Sequence, residues 1–284
     1  MITDLQHENR KAMTMNSGGV SPATIVEEVV RGYDIIGDVA IVKIAKESRW
    51  DTEVVGRAFR KTRPYLRLVA RRVGDCKGEF RLMPLERIAG SGDFTTLHKE
   101  YGLRLHVDPS RVYYSPRSGA ERFRLAGLVG GKERVLVMFS GIAPLPLMIA
   151  RYSDAAQIIG IEKNPYAHQL ALKNLRANAY IDTIRVYEGD VAQRMPELNG
   201  GFDRIVMPLP VSAADYLGLA LELLRPGGWL HYYDFCEKGK FKGAEAAVSA
   251  ACTRMGRKLA SSTVHACGHV SVHKYRACVD AVIE

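Results

Sequence analysis

Three positions in the second half of the chain carry residues suited to holding a nucleoside. Ser140-Gly141 follows the apolar run RVLVMF, Glu162 ends QIIGIE, and Asp190 follows TIRVYEG. A glycine lets the backbone approach a ligand closely, and a carboxylate about 20 residues later can accept hydrogen bonds from both ribose hydroxyls. A second carboxylate can accept from an adenine amino group. The combination is more specific than any one of its members and predicts a nucleoside site.

Each of these residues also has a structural interpretation. Gly141 could belong to a tight loop and Glu162 to the surface, while Asn164-Pro165 resembles the cap and first turn of a helix. No lysine completes a phosphate-binding P-loop, and the second and third glycines of a dinucleotide fingerprint are missing. A nucleoside without phosphates therefore fits best. We expect S-adenosylmethionine, a common ligand of sheets of this kind.

Alternating strands and helices must position these residues. Beyond residue 120, short apolar runs alternate with helical stretches near 144–152, 165–178 and 212–224, a pattern typical of a parallel sheet whose ligands lie beyond the carboxyl ends of its strands. The prediction is an α/β fold, with a Rossmann-like sheet preceded by a smaller α+β domain. The predicted parts are a loose or partly ordered N-terminal arm (1–32), a small α+β RNA-contacting domain (33–115) and a Rossmann-like cofactor-binding domain (116–284).

The composition is that of a globular protein with an excess of positive charge. Hydrophobic residues make up 47% of the chain, the net charge is +9 and the pI is near 9.3, which excludes disorder and permits a polyanionic partner. No apolar run approaches the roughly 20 residues needed to span a bilayer, and the N-terminus has no secretion signal. Five cysteines without a CxxC pair favour reduced thiols. We expect a cytoplasmic protein.

One segment concentrates the basic residues. Residues 57–72 hold seven of them and no acidic residue. A solvated helix face is the structural alternative, and a surface that contacts RNA phosphates is the functional one. The predicted RNA-binding residues are Arg57, Arg60, Lys61, Arg63, Arg67, Arg71, Arg72 and Arg117.

A cluster of possible metal ligands lies near the C-terminus. HACGHVSVH places His265, Cys267, His269 and His273 at even spacing, so one face of a strand could carry all four. No second ligand cluster accompanies them. We therefore interpret them as packing and surface residues and expect no metal.

Several stretches of the chain resemble a known family. VYYSPRSGAERFRLA, VMFSGIAPLPLMIAR, GIEKNPYAHQLALKNLRAN and FDRIVMPLPVSAADYLGLAL resemble the archaeal and eukaryotic class I tRNA (guanine-N1) methyltransferases, which modify position 37 beside the anticodon. A related wybutosine-pathway enzyme transfers an aminocarboxypropyl group instead. The resemblance covers roughly residues 33–236. It implies N1-methylation of guanosine in tRNA by a class I methyltransferase that uses S-adenosylmethionine, and we expect a monomer.

The resemblance assigns roles to single residues. Glu121 matches the general base that removes the guanine N1 proton, and Arg81 matches an arginine that steadies charge on O6. Guanine N1 is a poor nucleophile while protonated, so a carboxylate and a cation suit the reaction. A structural Glu121 paired with Arg122 or Arg124 is the alternative. Matching cofactor and base pocket positions are Tyr113, Phe139, Ser140, Gly141, Glu162, Asn164, Pro165, Asp190, Pro208, Leu209 and Pro210.

The chain departs from the family at several points. Val137 stands where an aspartate is frequent, and Pro208 stands where an asparagine is frequent. The proline-lined turn 208–210 is expected to form a rigid wall of the base pocket. The first 30 residues are too few for the family's tRNA elbow-binding domain, so we expect contacts mainly at the anticodon stem-loop. Methyl or aminocarboxypropyl transfer onto a wyosine precursor, and a noncatalytic tRNA-binding paralogue, remain open alternatives.

Overall fold

The computed structural model describes residues 19–179, 182–208, 213–237, 239–269 and 274–284. The chain forms two compact units. The first comprises the described residues up to His98 together with Val107–Tyr113, and the second comprises Lys99–His106 and Tyr114–Glu284. The boundaries expected after residues 32 and 115 stay predictions.

The first unit is a four-stranded sheet with two helices. The sheet has the order β1-β2-β3-β4, in which β2 and β3 run parallel and the outer pairs run antiparallel. Its elements are α1 (Pro22–Val29), β1 (Val30–Ile36), β2 (Val39–Ile44), α2 (Thr52–Lys61), β3 (Leu68–Arg72) and β4 (Leu85–Gly90).

The N-terminal arm, expected to be loose or partly ordered, forms a helix over residues 22–29. Ser21 caps α1 by accepting a hydrogen bond from the Thr24 amide, and Ile25 and Val29 are buried in a cluster with Trp50. Burial of these apolar side chains stabilises a helix too short to persist alone. Strand β1 follows this helix directly and pairs with β2.

The second unit is built on a seven-stranded sheet of order β12-β13-β11-β10-β7-β8-β9. Strands β11, β10, β7, β8 and β9 are parallel, and β13 and β12 add an antiparallel edge. The remaining elements are β5 (Thr96–Glu100) and β6 (Leu103–Val107), which pair with each other, and then α3 (Gly119–Ala126), β7 (Arg134–Met138), α4 (Pro144–Tyr152), β8 (Gln157–Glu162), α5 (Pro165–Asn178), β9 (Ile184–Glu188), α6 (Val191–Arg194), β10 (Phe202–Met207), α7 (Leu217–Leu223), β11 (Leu224–Glu237), α8 (Lys242–Arg254), β12 (Leu259–His269) and β13 (Lys274–Ile283).

The predicted α/β sheet is confirmed. Strand β8 and helices α4 and α5 have the expected bounds. The helix expected over 212–224 is a 3-10 turn, Ala213–Tyr216, followed by α7. The segment RPGG (225–228) begins one residue after the start of β11, which follows α7 directly, and the pairing of β11 with β10 is irregular there. Among the helices of the described ranges, none is long and apolar enough to cross a membrane.

Candidate functional site

The loop after β7 has an unusual backbone. Phe139, Gly141 and Ala143 have φ angles of 57°, 58° and 64°, which non-glycine residues rarely adopt. The Gly141 amide donates to Oε2 of Glu162 over 2.7 Å. A Cβ atom added to Gly141 would meet no heavy atom within 4 Å. The loop therefore exposes its backbone to open space at the carboxyl end of the sheet.

Glu162 is the acceptor around which this loop is organised. Its Oε1 accepts from the Asn164 amide over 2.7 Å, and the Lys163 amide is a further backbone donor to the carboxylate. Burial raises the pKa of Glu162, although these backbone hydrogen bonds oppose the shift. A carboxylate offers about four acceptor positions, so these backbone donors leave room for a hydrogen bond from the predicted ribose.

Ser140 carries an orphaned oxygen in the same loop. Its side chain is buried, and its Oγ is a buried side-chain oxygen for which the described residues offer no hydrogen-bond partner. The side chain lies against Gly160 of β8, where a Cβ atom would approach Oγ to 2.9 Å. Buried polar atoms normally have partners. A ligand or water bound to this loop would supply one.

Asn164 and Pro165 form the predicted helix cap. The Asn164 side chain accepts from the amides of Tyr166 and Ala167, and Pro165 occupies the first position of α5. Phe139 packs edge-on against the ring of Tyr216, with 5.0 Å between centroids. These residues shape the loop, and their contact with a cofactor stays a prediction.

Asp190 is more heavily engaged than the sequence suggested. It caps α6 by accepting from the Ala192 amide over 2.9 Å at Oδ1. Its Oδ2 lies 3.0 Å from Lys163 Nζ and accepts from the Tyr216 hydroxyl over 3.3 Å. Burial would raise the pKa of Asp190, but these partners hold it below its usual value. One position on Oδ1 is left for the predicted adenine amino group.

The predicted proline-lined turn is described only at its start. Pro208 directly follows β10, whose last residue, Met207, pairs with Tyr232 of β11. Leu209 and Pro210 lie outside the described residues. The wall that this turn was expected to form stays a prediction.

Glu121 lies on α3 and is almost enclosed, with a side chain 10% exposed. Arg124 donates two hydrogen bonds of 2.8 Å to it, from Nε to Oε2 and from Nη2 to Oε1. The Tyr233 hydroxyl donates to Oε1 over 2.6 Å. The ion pair proposed as the structural alternative is thus present with Arg124. Arg122 instead pairs with the buried Glu100.

These contacts leave Glu121 one defined acceptor position. Oε1 receives two donors, whereas Oε2 receives only the Arg124 Nε. Since each carboxylate oxygen offers two lone pairs, one remains on Oε2. The arrangement therefore holds a carboxylate firmly and can accept a proton at one atom.

Arg81 and Tyr113 both belong to the first unit and lie together. The Arg81 guanidinium carbon is 5.8 Å from the centroid of the Tyr113 ring, and this ring is 46% exposed. Arg81 has a φ of 53°, a conformation that costs energy for a side chain with a Cβ. The pair presents a cation and an aromatic face, and its predicted roles stay predictions.

The basic segment 57–72 contains one arginine with an architectural role. Arg67 pairs with Asp38 over 3.0 Å and donates to the carbonyl oxygens of Ser91, Asp93 and Thr95. A side chain with five N–H donors can tie several loops together in this way. Arg67 is therefore poorly placed to bind a phosphate.

The other basic residues of the segment fall into two groups. Three of them form ion pairs: Arg57 with Glu53, Arg71 with Glu86, and Arg72 with Asp75. Arg60 uses Nε on the Leu66 carbonyl, Arg63 packs over the Tyr33 ring, and Lys61 is exposed. Arg117, also exposed, belongs to the second unit. RNA binding by these residues stays a prediction.

The histidine and cysteine residues of β12 do not form one ligand face. The pairing with β13 shifts between Ala266 and His269, which breaks the alternation. His265 lies 3.2 Å from Asp280, and the Cys267 thiol donates to the Arg276 carbonyl. His273 lies outside the described residues.

A different cluster was missed from the sequence. The ligand atoms of His231, Cys278 and Asp280 lie within 4.8 Å of one another, and all three residues are buried. Arg204 and Arg124 contact the cluster at His231 and Asp280 over 2.6 Å each. Two guanidinium groups disfavour a bound cation here. The only sequence signal was the alternation of His231 and Tyr233 along an apolar strand.

Comparisons with known proteins agree with this architecture. Residues 96–259 match the TRM5/TYW2 methyltransferase domain, and residues 17–93 match the TYW2 N-terminal domain. The chain is 36% identical over 204 residues to tRNA (guanine(37)-N(1))-methyltransferase Trm5b of Methanocaldococcus jannaschii. The aligned residues make up 71% of this chain and 58% of that relative. The chain therefore spans less than two thirds of that relative.

Two further similarities bear on the site. The chain is 28% identical to tRNA 4-demethylwyosine(37)-methyltransferase Taw21 of Saccharolobus solfataricus, over 89% of this chain and 94% of that one. The structure of M. jannaschii Trm5 in complex with adenosine superposes with a TM-score of 0.76 at 28% identity, covering 92% of this chain and 77% of that one. The matched domain spans more than half of the sequence. The chain belongs to the TRM5/TYW2 methyltransferase family.

Proposed function

We propose that the chain transfers a methyl group from S-adenosylmethionine to N1 of guanosine at position 37 of tRNA. The observation that carries this proposal is the enclosed carboxylate of Glu121, which is held by two partners and keeps a single acceptor position on Oε2. An N1 methyl transfer needs such a fixed base. The family membership supports the same reaction.

The loop 139–143 and Glu162 are the proposed holders of the cofactor. The Gly141 backbone faces open space, and the Glu162 carboxylate keeps an acceptor position for a ribose hydroxyl beside its backbone donors. S-adenosylmethionine would supply an electrophilic methyl group on a sulfonium. The adenosine bound to the M. jannaschii relative supports a nucleoside site on this fold.

In the proposed step, Glu121 accepts the proton that guanine N1 loses. The N1–C bond forms as the S–C bond breaks, and the electron pair of the broken bond stays on sulfur, leaving S-adenosylhomocysteine. The N1 proton goes to Oε2 of Glu121. Arg124 and Tyr233 keep this oxygen from rotating away, so the carboxylate needs little reorganisation during the reaction.

The proposed RNA partner is the anticodon stem-loop. Arg60, Lys61 and Arg63 offer cations that are less committed to acidic partners than the rest of the basic segment. We further propose that the enzyme acts as a monomer in the cytoplasm, without a metal. A sulfonium already activates its methyl group, so the reaction requires no Lewis acid.

Substrate tests decide the reaction. Transcripts with guanosine at position 37, treated with the protein and S-adenosylmethionine, should yield N1-methylguanosine in nucleoside digests analysed by mass spectrometry. A transcript with adenosine at that position serves as the control and should remain unmodified. Absence of N1-methylguanosine under saturating cofactor would refute the proposal.

A second candidate is methylation of 4-demethylwyosine at the same nucleotide. The similarity to Taw21 extends over 94% of that relative, and the first segment matches the TYW2 N-terminal domain. Pro208 also offers no side-chain amide for base recognition. Parallel assays with tRNA carrying 4-demethylwyosine separate the candidates, since a gain of one methyl group only on this base would favour the second.

A further inference from the structure

Polar side chains form a row on the sheet face that α3 covers. His231 and Tyr233 are alternate residues of β11, so their side chains share one face. Across the strand pair, His231 lies opposite Asp280 and Tyr233 lies opposite Cys278. Residues of α3 contact this face through hydrogen bonds to Tyr233 and Asp280. We call Glu121, Arg124, His231, Tyr233 and Asp280 the polar row.

One guanidinium in the row serves two carboxylates. Arg124 donates from Nε and Nη2 to Glu121, and from Nη1 to Oδ2 of Asp280 over 2.6 Å. Burial would lower the pKa of Arg124, but the hydrogen bonds to both carboxylates hold it above its ordinary value. Arg124 therefore stays charged, and its charge is divided between Glu121 and Asp280.

Asp280 is held from its other side by a histidine of defined tautomer. His231 Nε2 lies 2.6 Å from Nη1 of Arg204, and because a guanidinium only donates, this nitrogen must accept. The proton therefore sits on Nδ1, which donates to Oδ1 of Asp280 over 2.5 Å. Burial lowers the pKa of His231 and keeps it neutral. Arg204 is anchored in turn by Glu133 over 2.7 Å.

We propose that Asp280 is a positioning residue that keeps Glu121 basic by sharing the charge of Arg124. This inference rests on the proposed role of Glu121 as the proton acceptor. A guanidinium devoted to Glu121 alone would stabilise its ionised form and make it a weaker base. The carboxylate of Asp280 offsets part of the charge of Arg124, while both hydrogen bonds from Arg124 to Glu121 are kept.

The groups that face Glu121 from neighbouring strands do not titrate near neutral pH. Burial raises the pKa of Tyr233 and of Cys278 well above their ordinary values, and raises the pKa of Cys267 to about 11. Burial opposes a low pKa at Asp280, yet His231 and Arg124 hold it well below its usual range. Arg276, the further cation on β13, binds the Ser118 hydroxyl and the Cys267 carbonyl.

The test is the pH profile of single-turnover methyl transfer from S-adenosylmethionine to tRNA transcripts. The readout is the acid limb of this profile, in which the rate falls as the pH decreases. Asp280→Asn keeps the shape of the side chain but removes its charge, so that Glu121 is the one remaining anionic partner of Arg124 in the polar row. We expect the midpoint of the acid limb to move about 1 pH unit lower, a tenfold change in proton affinity, and the plateau rate to fall.

Control variants separate this role from a structural one. Asp203→Asn removes an equal charge at the start of β10, where Asp203 pairs with Arg225, and should leave the midpoint unchanged. His265→Gln tests the exposed neighbour of Asp280 and should also leave it unchanged. Arg124→Gln should move the midpoint to higher pH, because two carboxylates then face each other without a cation. This opposite shift tests the inference even if Asp280→Asn does not fold.

The outcomes are distinguishable. A lower Asp280→Asn rate at every pH with an unchanged midpoint would make Asp280 merely structural and overturn the inference. Full transfer by Glu121→Gln would instead remove the proposed base. No transfer by the wild-type protein to either candidate base would contradict the proposed function itself.

Discussion

Replacing Glu162 with glutamine tests the cofactor site. Both carboxylate oxygens accept a backbone amide at 2.7 Å, from Gly141 and Asn164, and the carboxylate keeps an acceptor position for a ligand. A glutamine offers one oxygen, so one buried amide loses its acceptor and the ribose loses at least one charged partner. The loss of such a partner costs about 1–3 kcal/mol. Binding of S-adenosylmethionine should weaken about 5- to 150-fold.

The pH dependence of binding provides a second readout. Burial raises the pKa of Glu162, and the ionised form is the stronger acceptor for a ribose hydroxyl. Affinity should therefore be greatest above this raised pKa and should fall as the pH decreases through it. Calorimetry of wild-type protein from pH 5 to 8 should show this loss. Glu162→Gln should bind weakly with a nearly flat profile.

A matched control is available on the adjacent strand. Glu188 pairs in register with Glu162 and is exposed, so Glu188→Gln removes an equal charge at the same edge of the sheet. Its cofactor affinity should equal that of the wild type. Thermal melting would establish that both variants are folded. Unchanged affinity in folded Glu162→Gln would refute the site.

Further perturbations test the base and the RNA surface. Glu121→Gln should slow single-turnover transfer about 100-fold or more with little change in cofactor affinity, and a wild-type rate would exclude it as the base. Alanine at Arg60, Lys61 and Arg63 should weaken binding of all tRNAs alike and reduce the salt slope by roughly 0.7 to 0.9 per lost phosphate contact. An unchanged slope in filter binding would contradict that surface. Arg67→Ala should destabilise the protein by about 1–3 kcal/mol in denaturant titrations, because the hydrogen bonds that join loops are lost, whereas Lys61→Ala should be neutral. Equal stabilities would contradict the architectural role of Arg67.

Local signals in the sequence were enough to predict the strand, the helix cap and the meeting of Gly141 with Glu162. The strand QIIGIE ends at Glu162, and the Asn164-Pro165 cap begins the next helix, as expected from capping preferences. Adjacent parallel strands then bring Glu162 to Gly141 without further information. The short helix α1 was missed because its stability depends on burial against Trp50, which lies more than 20 residues away.

Contacts between distant segments could not be predicted in this way. Arg124 and Asp280 are 156 residues apart, and they meet only because the hairpin of β12 and β13 adds to the sheet with one particular register. The role of Arg67 could not be predicted from the basic segment 57–72 either, because its partners are Asp38 and the carbonyl oxygens of a later loop. Net charge reports on possible partners but not on which arginines the fold has already used.

The most direct test of the central claim is the site and identity of the transferred group. Wild-type protein and Glu121→Gln would be incubated with S-adenosylmethionine carrying a labelled methyl group and an anticodon stem-loop with guanosine at position 37. Mass spectrometry of the digested RNA should find one labelled methyl on N1 of that guanosine with the wild type, and at least about 100-fold less in a single turnover with the variant. Label on another atom, or equal label with both proteins, would contradict the account.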